Sequence, residues 1–227
     1  MKRKLVVLMG LDGSGKSTQA EHLRDWLKES GVAAETVWMR GDSYLARPVL
    51  ALGKALLKAP KEDKRGEGIR AGEAYDRYVG SKHSMFKNPL LRRIWTSLTL
   101  LDLYITFRRA FSKIPRKTET VILDRYIYDS FIDIDTAYGE QGKEAERLLG
   151  AALAGLFPKP DVVILLTISP EDAMKRKDDI PSLRYLVERE AVYEMIGRAV
   201  GAVTVDAGRP IEDVQARIRD AIKGAVV

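Results

Sequence analysis

The sequence contains no cysteine, which excludes disulfides, thiolate metal sites and cysteine nucleophiles. Histidine is nearly as scarce. His22 and His83 are the only two, neither has a partner at metal-ligand spacing, and both read as incidental. No apolar run reaches the roughly 18 residues that a membrane-spanning helix needs. The basic start MKRK followed by Leu5–Met9 has the outline of a signal peptide. The apolar run gives way at once to a Gly-Lys loop, with no cleavage-type site, so it reads as a buried strand. The expected compartment is the cytoplasm. Internal repeats and low-complexity tracts are also missing.

What is present suits one domain. The 227 residues are 45% hydrophobic, enough for a single core, so residues 1–227 are taken as one unit. Charged residues make up 31% and the net charge is +6. A basic balance can serve nucleic acid, an anionic membrane or small anions. Here the basic residues are spread along the chain. The densest run, Lys58–Arg65 (KAPKEDKR), is broken by Glu62 and Asp63 and reads as a solvated loop. Neither aromatic–basic interleaving nor a helix-turn-helix pattern is present. Small anions are the expected partners, with no nucleic acid and no membrane.

Short β-branched runs at Leu5–Met9, Glu35–Trp38, Val121–Leu123, Val162–Leu166 and Val203–Val205 predict five parallel strands. Most are continuous rather than alternating, as strands covered on both faces must be. Helical spacing falls between them, over Lys16–Glu29, Arg47–Leu57, Leu90–Phe111 and Ile211–Ile222. In the third of these, Ile94, Leu98, Leu101 and Ile105 form the apolar row. Alternating strands and helices predict an α/β fold, a five-stranded parallel sheet with helices on both faces. Ligands of such sheets sit at the carboxyl ends of the strands. The polar, poorly periodic stretch at 59–87 reads as an insertion.

The chemistry begins at the end of the first strand. Gly10, Gly15, Lys16 and Ser17 satisfy G-x-x-x-x-G-K-[ST], in GLDGSGKST, between an apolar strand and an amphipathic helix. Glycines at 10, 13 and 15 let backbone N–H groups of the loop, with Ser14, turn inward on phosphate oxygens. The helix N-terminus adds the positive end of its dipole. Lys16 reaches the β- and γ-phosphates of a nucleotide, and Ser17, followed by Thr18, can hold magnesium. This is the fingerprint of the P-loop NTPase fold, and by itself it gives nucleotide binding only.

Asp12 is out of place in such a loop, because a carboxylate repels phosphate. It either faces another polar group, such as a sugar hydroxyl on a second ligand, or is a solvent-facing turn residue. A second carboxylate, Asp124, closes the strand in TVILDRYIYDS and is followed by Arg125. Asp124 can hold magnesium through water or orient an acceptor, and Arg125 offers a fork to a phosphate. A plain strand-end ion pair is the alternative.

Taken in order, GLDGSGKST, VILDRY and FPKPDVVILLTISPEDAMKRK resemble the thymidylate kinase family of P-loop nucleoside monophosphate kinases. The resemblance covers most of the chain and is sharp in these three blocks. It implies an enzyme that uses ATP and Mg²⁺ to phosphorylate a nucleoside monophosphate, dTMP being the favoured acceptor. It also implies roles. Asp12 would approach the sugar hydroxyl, Lys16 and Ser17 would serve ATP and the metal, and Asp124 would sit at the metal. Arg125 and Tyr126 would belong to the acceptor site. A lid over about 170–187 would bring Arg176, flanked by Lys175 and Lys177, onto the transferring phosphate, with Arg184 as the second candidate. Ala207, Gly208 and Arg209 in VDAGRP would contact adenine. A homodimer follows from the family alone, with Leu90–Phe111 as its surface.

The chain also departs from the family pattern. After the second strand the family has Arg-Glu-Pro, where this chain reads WMRGDS, so that Arg40 remains and Glu-Pro is gone. The serine that follows Asp-Arg-Tyr after two residues is replaced by Asp129, with Ser130 one place late. In the long helix, where the family places a base-reading arginine, this chain reads LTLLDLYITFRR. Asp102 there is either a paired structural carboxylate or a reader of a base or sugar. A kinase of the same fold with another acceptor, and an ATP-binding regulatory protein, are the alternatives.

Overall fold

A computed structural model describes residues 3–39, 75, 79, 80 and 82–226. The helix expected over Arg47–Leu57, Arg40, and most of the insertion at 59–87 lie outside the described residues.

Five strands form where the apolar runs place them: β1 (Lys4–Gly10), β2 (Ala34–Trp38), β3 (Thr120–Asp124), β4 (Val162–Thr167) and β5 (Val203–Asp206). All pairings are parallel, and the order across the sheet is β2-β3-β1-β4-β5. The chain enters at the centre, leaves to one edge, and returns to the other side of β1 only at β4. The carboxyl end of β1 is therefore the point where connections diverge, the place where a parallel sheet leaves a crevice.

Around the sheet lie α1 (Lys16–Glu29), α2 (Pro89–Lys113), α3 (Ile127–Tyr138), α4 (Lys143–Ala151), α5 (Pro170–Arg176), α6 (Leu183–Val200) and α7 (Ile211–Val226). Helices α1 and α7 pack on each other and on the sheet, while α3, α4 and α6 pack together as the opposing layer. The core sits in the middle strands. Val6, Val7, Leu8, Met9, Val121, Ile122 and Leu123 are fully buried, which is why these segments read as unbroken apolar runs.

Helix α3 has no clean apolar stripe in the sequence. In α3, nine of twelve residues are buried, among them Asp129 and Asp135, so burial follows no single face. In α2 the row read from the sequence is not the inward one. Ile94 and Leu101 are exposed, and Thr96, Asp102, Leu103 and Phe107 are buried. The helix carries apolar residues on more than one side, so spacing alone did not select the face that meets the core.

Candidate active site

Gly10 ends β1 at φ 147°, and a Cβ there would collide with the Leu166 carbonyl oxygen of β4. At Gly13, φ is 90° and a Cβ would stand 2.5 Å from the Ala173 carbonyl oxygen of α5. The loop is thus wedged between the sheet and α5, a fit that only glycine allows. Helix α1 then starts at Lys16 with no side-chain cap. Its first N–H groups stay available to an anion, and the dipole favours one there.

Lys16 is 5% exposed, and its ammonium donates to the carbonyls of Gly10 and Leu11, both at 2.7 Å. Burial and the neighbouring Arg125 bring its pKa down to about 8, against the upward pull of Asp129, Asp12 and Asp124. The Ser17 hydroxyl donates to Asp124 Oδ2 at 2.5 Å. The other oxygen of Asp124, Oδ1, is buried without a partner among the described residues. Together these are hard oxygen donors at the foot of the loop, a set that fits magnesium, which takes few protein ligands and completes its shell with phosphate and water. No cluster of three or more metal-ligating side chains occurs among the described residues.

Arg125 has φ 69°, a left-handed conformation that costs a residue with a side chain about 1–2 kcal/mol. Its N–H is tied to the Leu8 carbonyl at 3.2 Å, so the turn out of β3 is fastened to β1. The guanidinium then meets two carboxylates. Nη1 donates to Asp129 Oδ1 at 3.0 Å, and Nη2 donates to Asp12 Oδ1. Each carboxylate also accepts a phenol from α6, Asp12 from Tyr185 at 2.9 Å and Asp129 from Tyr193 at 2.6 Å. Burial works against ionising Asp12, but Arg125, Lys16 and the Tyr185 hydroxyl outweigh it and hold the carboxyl well below its usual range. Burial likewise opposes the charge on Arg125, and Asp129 and Asp12 more than offset it. For Asp129 burial prevails and the pKa is raised.

In front of the loop is an open cavity of about 600 Å³, lined by residues 12–19 and by Arg125, Arg176, Lys177, Ala207 and Arg209. Ser169 caps α5 by accepting from the Asp172 N–H at 3.1 Å, and Pro170 occupies the first turn. This places Arg176 at the far end of a short helix, where Nη1 donates to the Ala207 carbonyl at 2.9 Å. The strap after β5 is held by Asp206, which accepts from Gly208 N–H at 2.9 Å and from Arg209 Nε at 3.3 Å.

Most of the residues singled out in the sequence therefore meet at one end of the sheet: Asp12 to Thr18, Asp124, Arg125, Arg176, Ala207 and Arg209. Gly208 lies in the same strap. Arg184 pairs with Glu188 along α6, at 2.6 Å, and does not line the cavity. Tyr126 is 1% exposed and its hydroxyl donates to the Pro158 carbonyl at 2.7 Å, so its side chain is part of the core. Asp102 is buried in α2 beside Leu103. Residues that sequence reasoning missed are Tyr185, Tyr193 and the partner role of Asp129. The one signal available was the i,i+4 spacing of Arg125 and Asp129.

The chain resembles known proteins over nearly its whole length. A protein of Archaeoglobus fulgidus named probable thymidylate kinase is 27% identical, with 96% of this chain and 94% of the relative covered. A thymidylate kinase of Synechococcus sp. is 28% identical, with 99% and 97% covered. A thymidylate kinase of Prochlorococcus marinus is 25% identical, with 98% and 96% covered. No family model matches the chain.

Proposed function

We propose, for a chain whose near full-length relatives support the thymidylate kinase family, that it transfers the γ-phosphoryl group of ATP to the 5′-phosphate of dTMP, giving ADP and dTDP. The observation that carries this reading is the Asp12–Arg125 pair, set in the wall of the same cavity as Lys16. A loop that only bound or hydrolysed ATP would have no use for a carboxylate beside its phosphates. A kinase that must hold a second, hydroxyl-bearing anion does.

The roles follow from the chemistry of the groups. Backbone N–H groups of residues 13–17 and the Lys16 ammonium hold the β- and γ-phosphates. Ser17 and Asp124 would hold Mg²⁺, which supplies charge neutralisation between the β- and γ-phosphates when bound. Arg125 holds the acceptor's phosphate, and Asp12 accepts from the acceptor's sugar hydroxyl. Arg176, at the end of α5, neutralises charge on the transferring group as water is excluded. The acceptor is itself an anion and its phosphate oxygen attacks in line, so positioning rather than a general base accounts for the rate. The Ala207–Arg209 strap is the adenine side of the cavity. The exposed apolar residues Leu90, Ile94, Leu101 and Tyr104 of α2 support reading that helix as the surface of a homodimer, which sedimentation at twice the monomer mass would reveal.

Initial rates of ADP formation with magnesium, across deoxy- and ribonucleoside monophosphates, test the proposal. The expected result is a clear preference for dTMP, lost in Lys16→Ala. ATP binding with transfer to none of the monophosphates would remove the reading.

A further inference from the structure

Arg125 is gripped by two carboxylates, but they are not equivalent. Asp12 lines the cavity, and a ligand entering there reaches the Asp12–Arg125 contact directly. Asp129 does not line it. It is 6% exposed, lies in the first turn of α3 four residues after Arg125, and receives the Tyr193 hydroxyl at 2.6 Å on the same oxygen that holds Arg125 Nη1. Its second oxygen, Oδ2, is buried with no partner among the described residues. A buried carboxylate with half its hydrogen-bonding capacity unused is costly, and removing its counter-charge would be more so. Asp129 therefore has every reason to keep Arg125. Asp12 can let it go, because it lies where a hydroxyl can replace the guanidinium.

We propose that Asp129 and Tyr193 are positioning residues for the acceptor phosphate. They hold Nη1 of Arg125 throughout the cycle, while Nη2 exchanges Asp12 for the acceptor's phosphate and Asp12 takes the sugar hydroxyl. This rests on reading Arg125 as the acceptor's phosphate ligand. With Asp129 fixed, the guanidinium keeps its orientation through the exchange, and the acceptor need not order it. Helix α6 enters the site by this route, because Tyr193 steadies the carboxylate that steadies the arginine. The same helix sends Tyr185 to Asp12, whose contact must open.

Asp129→Asn removes the charge at nearly constant volume, and Tyr193→Phe removes only the hydroxyl. Steady-state kinetics with dTMP and ATP, each varied at saturating partner, should show KM for dTMP raised roughly tenfold in Asp129→Asn and several-fold in Tyr193→Phe, as expected for lost bonds to a charged group. KM for ATP should stay within about twofold, a split that a merely structural role would not give, since loosening the fold affects both substrates alike. Arg125→Lys is run beside them. If it raises KM for dTMP while Asp129→Asn and Tyr193→Phe leave that constant unchanged, the positioning role is wrong and the reading of Arg125 stands. If Arg125→Lys itself leaves KM for dTMP unchanged, both fall. Should Asp129→Asn fail to fold, Tyr193→Phe decides, because it keeps the packing of a buried ring.

Discussion

Lys16 spends its ammonium on two carbonyls of its own loop, and its pKa of about 8 makes nucleotide binding pH-dependent in a definite direction. Phosphate oxygens require the charged form, which is full below that value and drains away above it. ATP affinity should therefore hold steady near pH 7 and weaken above about pH 8, approaching a tenfold loss per pH unit, with protons taken up on binding. Titration calorimetry in two buffers of different ionisation enthalpy reads both quantities. Constant affinity from pH 7 to pH 9.5 would show that the lysine is not depressed. At this scale the sequence told which side chains would meet wherever the grouping belongs to a local motif, as for Lys16, Ser17, Asp124 and Arg125. It was silent on Tyr185 and Tyr193, whose partners lie 173 and 64 residues away and are chosen by topology. Tyr126 stands in a motif but packs as core, because its backbone position rather than its ring belongs to the turn out of β3.

Among the elements, α5 carries the arginine proposed to meet the transferring phosphate. It is short, starts on a Ser-Pro cap, touches the loop at Gly13 through Ala173, and ends at Arg176 against the Ala207 carbonyl. One small helix thus links the phosphate loop to the strap that follows β5. Arg176→Ala should lower kcat by roughly 10²- to 10³-fold, in the range set by removing one transition-state donor, with little change in KM for dTMP. Equal loss in both constants, or none, would move the lid role elsewhere. The helices also show where periodicity stops being informative. α7 was legible from its helical spacing, with Val214, Ile218 and Ile222 inward, although Ile211 at its start is exposed. α3 was not, because it is buried on nearly all sides and its acids, Asp129 and Asp135, are used internally. The inward face of α2 was misjudged for a related reason, since both Ile94 and Leu103 are apolar and only packing separates them.

For the whole molecule, the net charge of +6 is best understood through the site. Three carboxylates, Asp12, Asp124 and Asp129, stand close to the cations Lys16 and Arg125, with Arg176, Lys177 and Arg209 around the cavity. Two phosphorylated substrates would bring several more negative charges, so a basic balance suits the bound state better than the free one. The five parallel strands and the end of the sheet that holds the cavity were legible because the central strands are continuous apolar runs and each motif follows a strand end. The base-reading wall was not, since the relevant departures fall in α2 and in residues beyond those described. The most direct test of the account follows the label from ATP carrying ³²P in its γ-phosphate, with dTMP and magnesium present. The account predicts dTDP labelled in its β-phosphate, one for each ADP formed. Label released as inorganic phosphate with no dTDP formed, or carried onto thymidine when dTMP is refused, would contradict it.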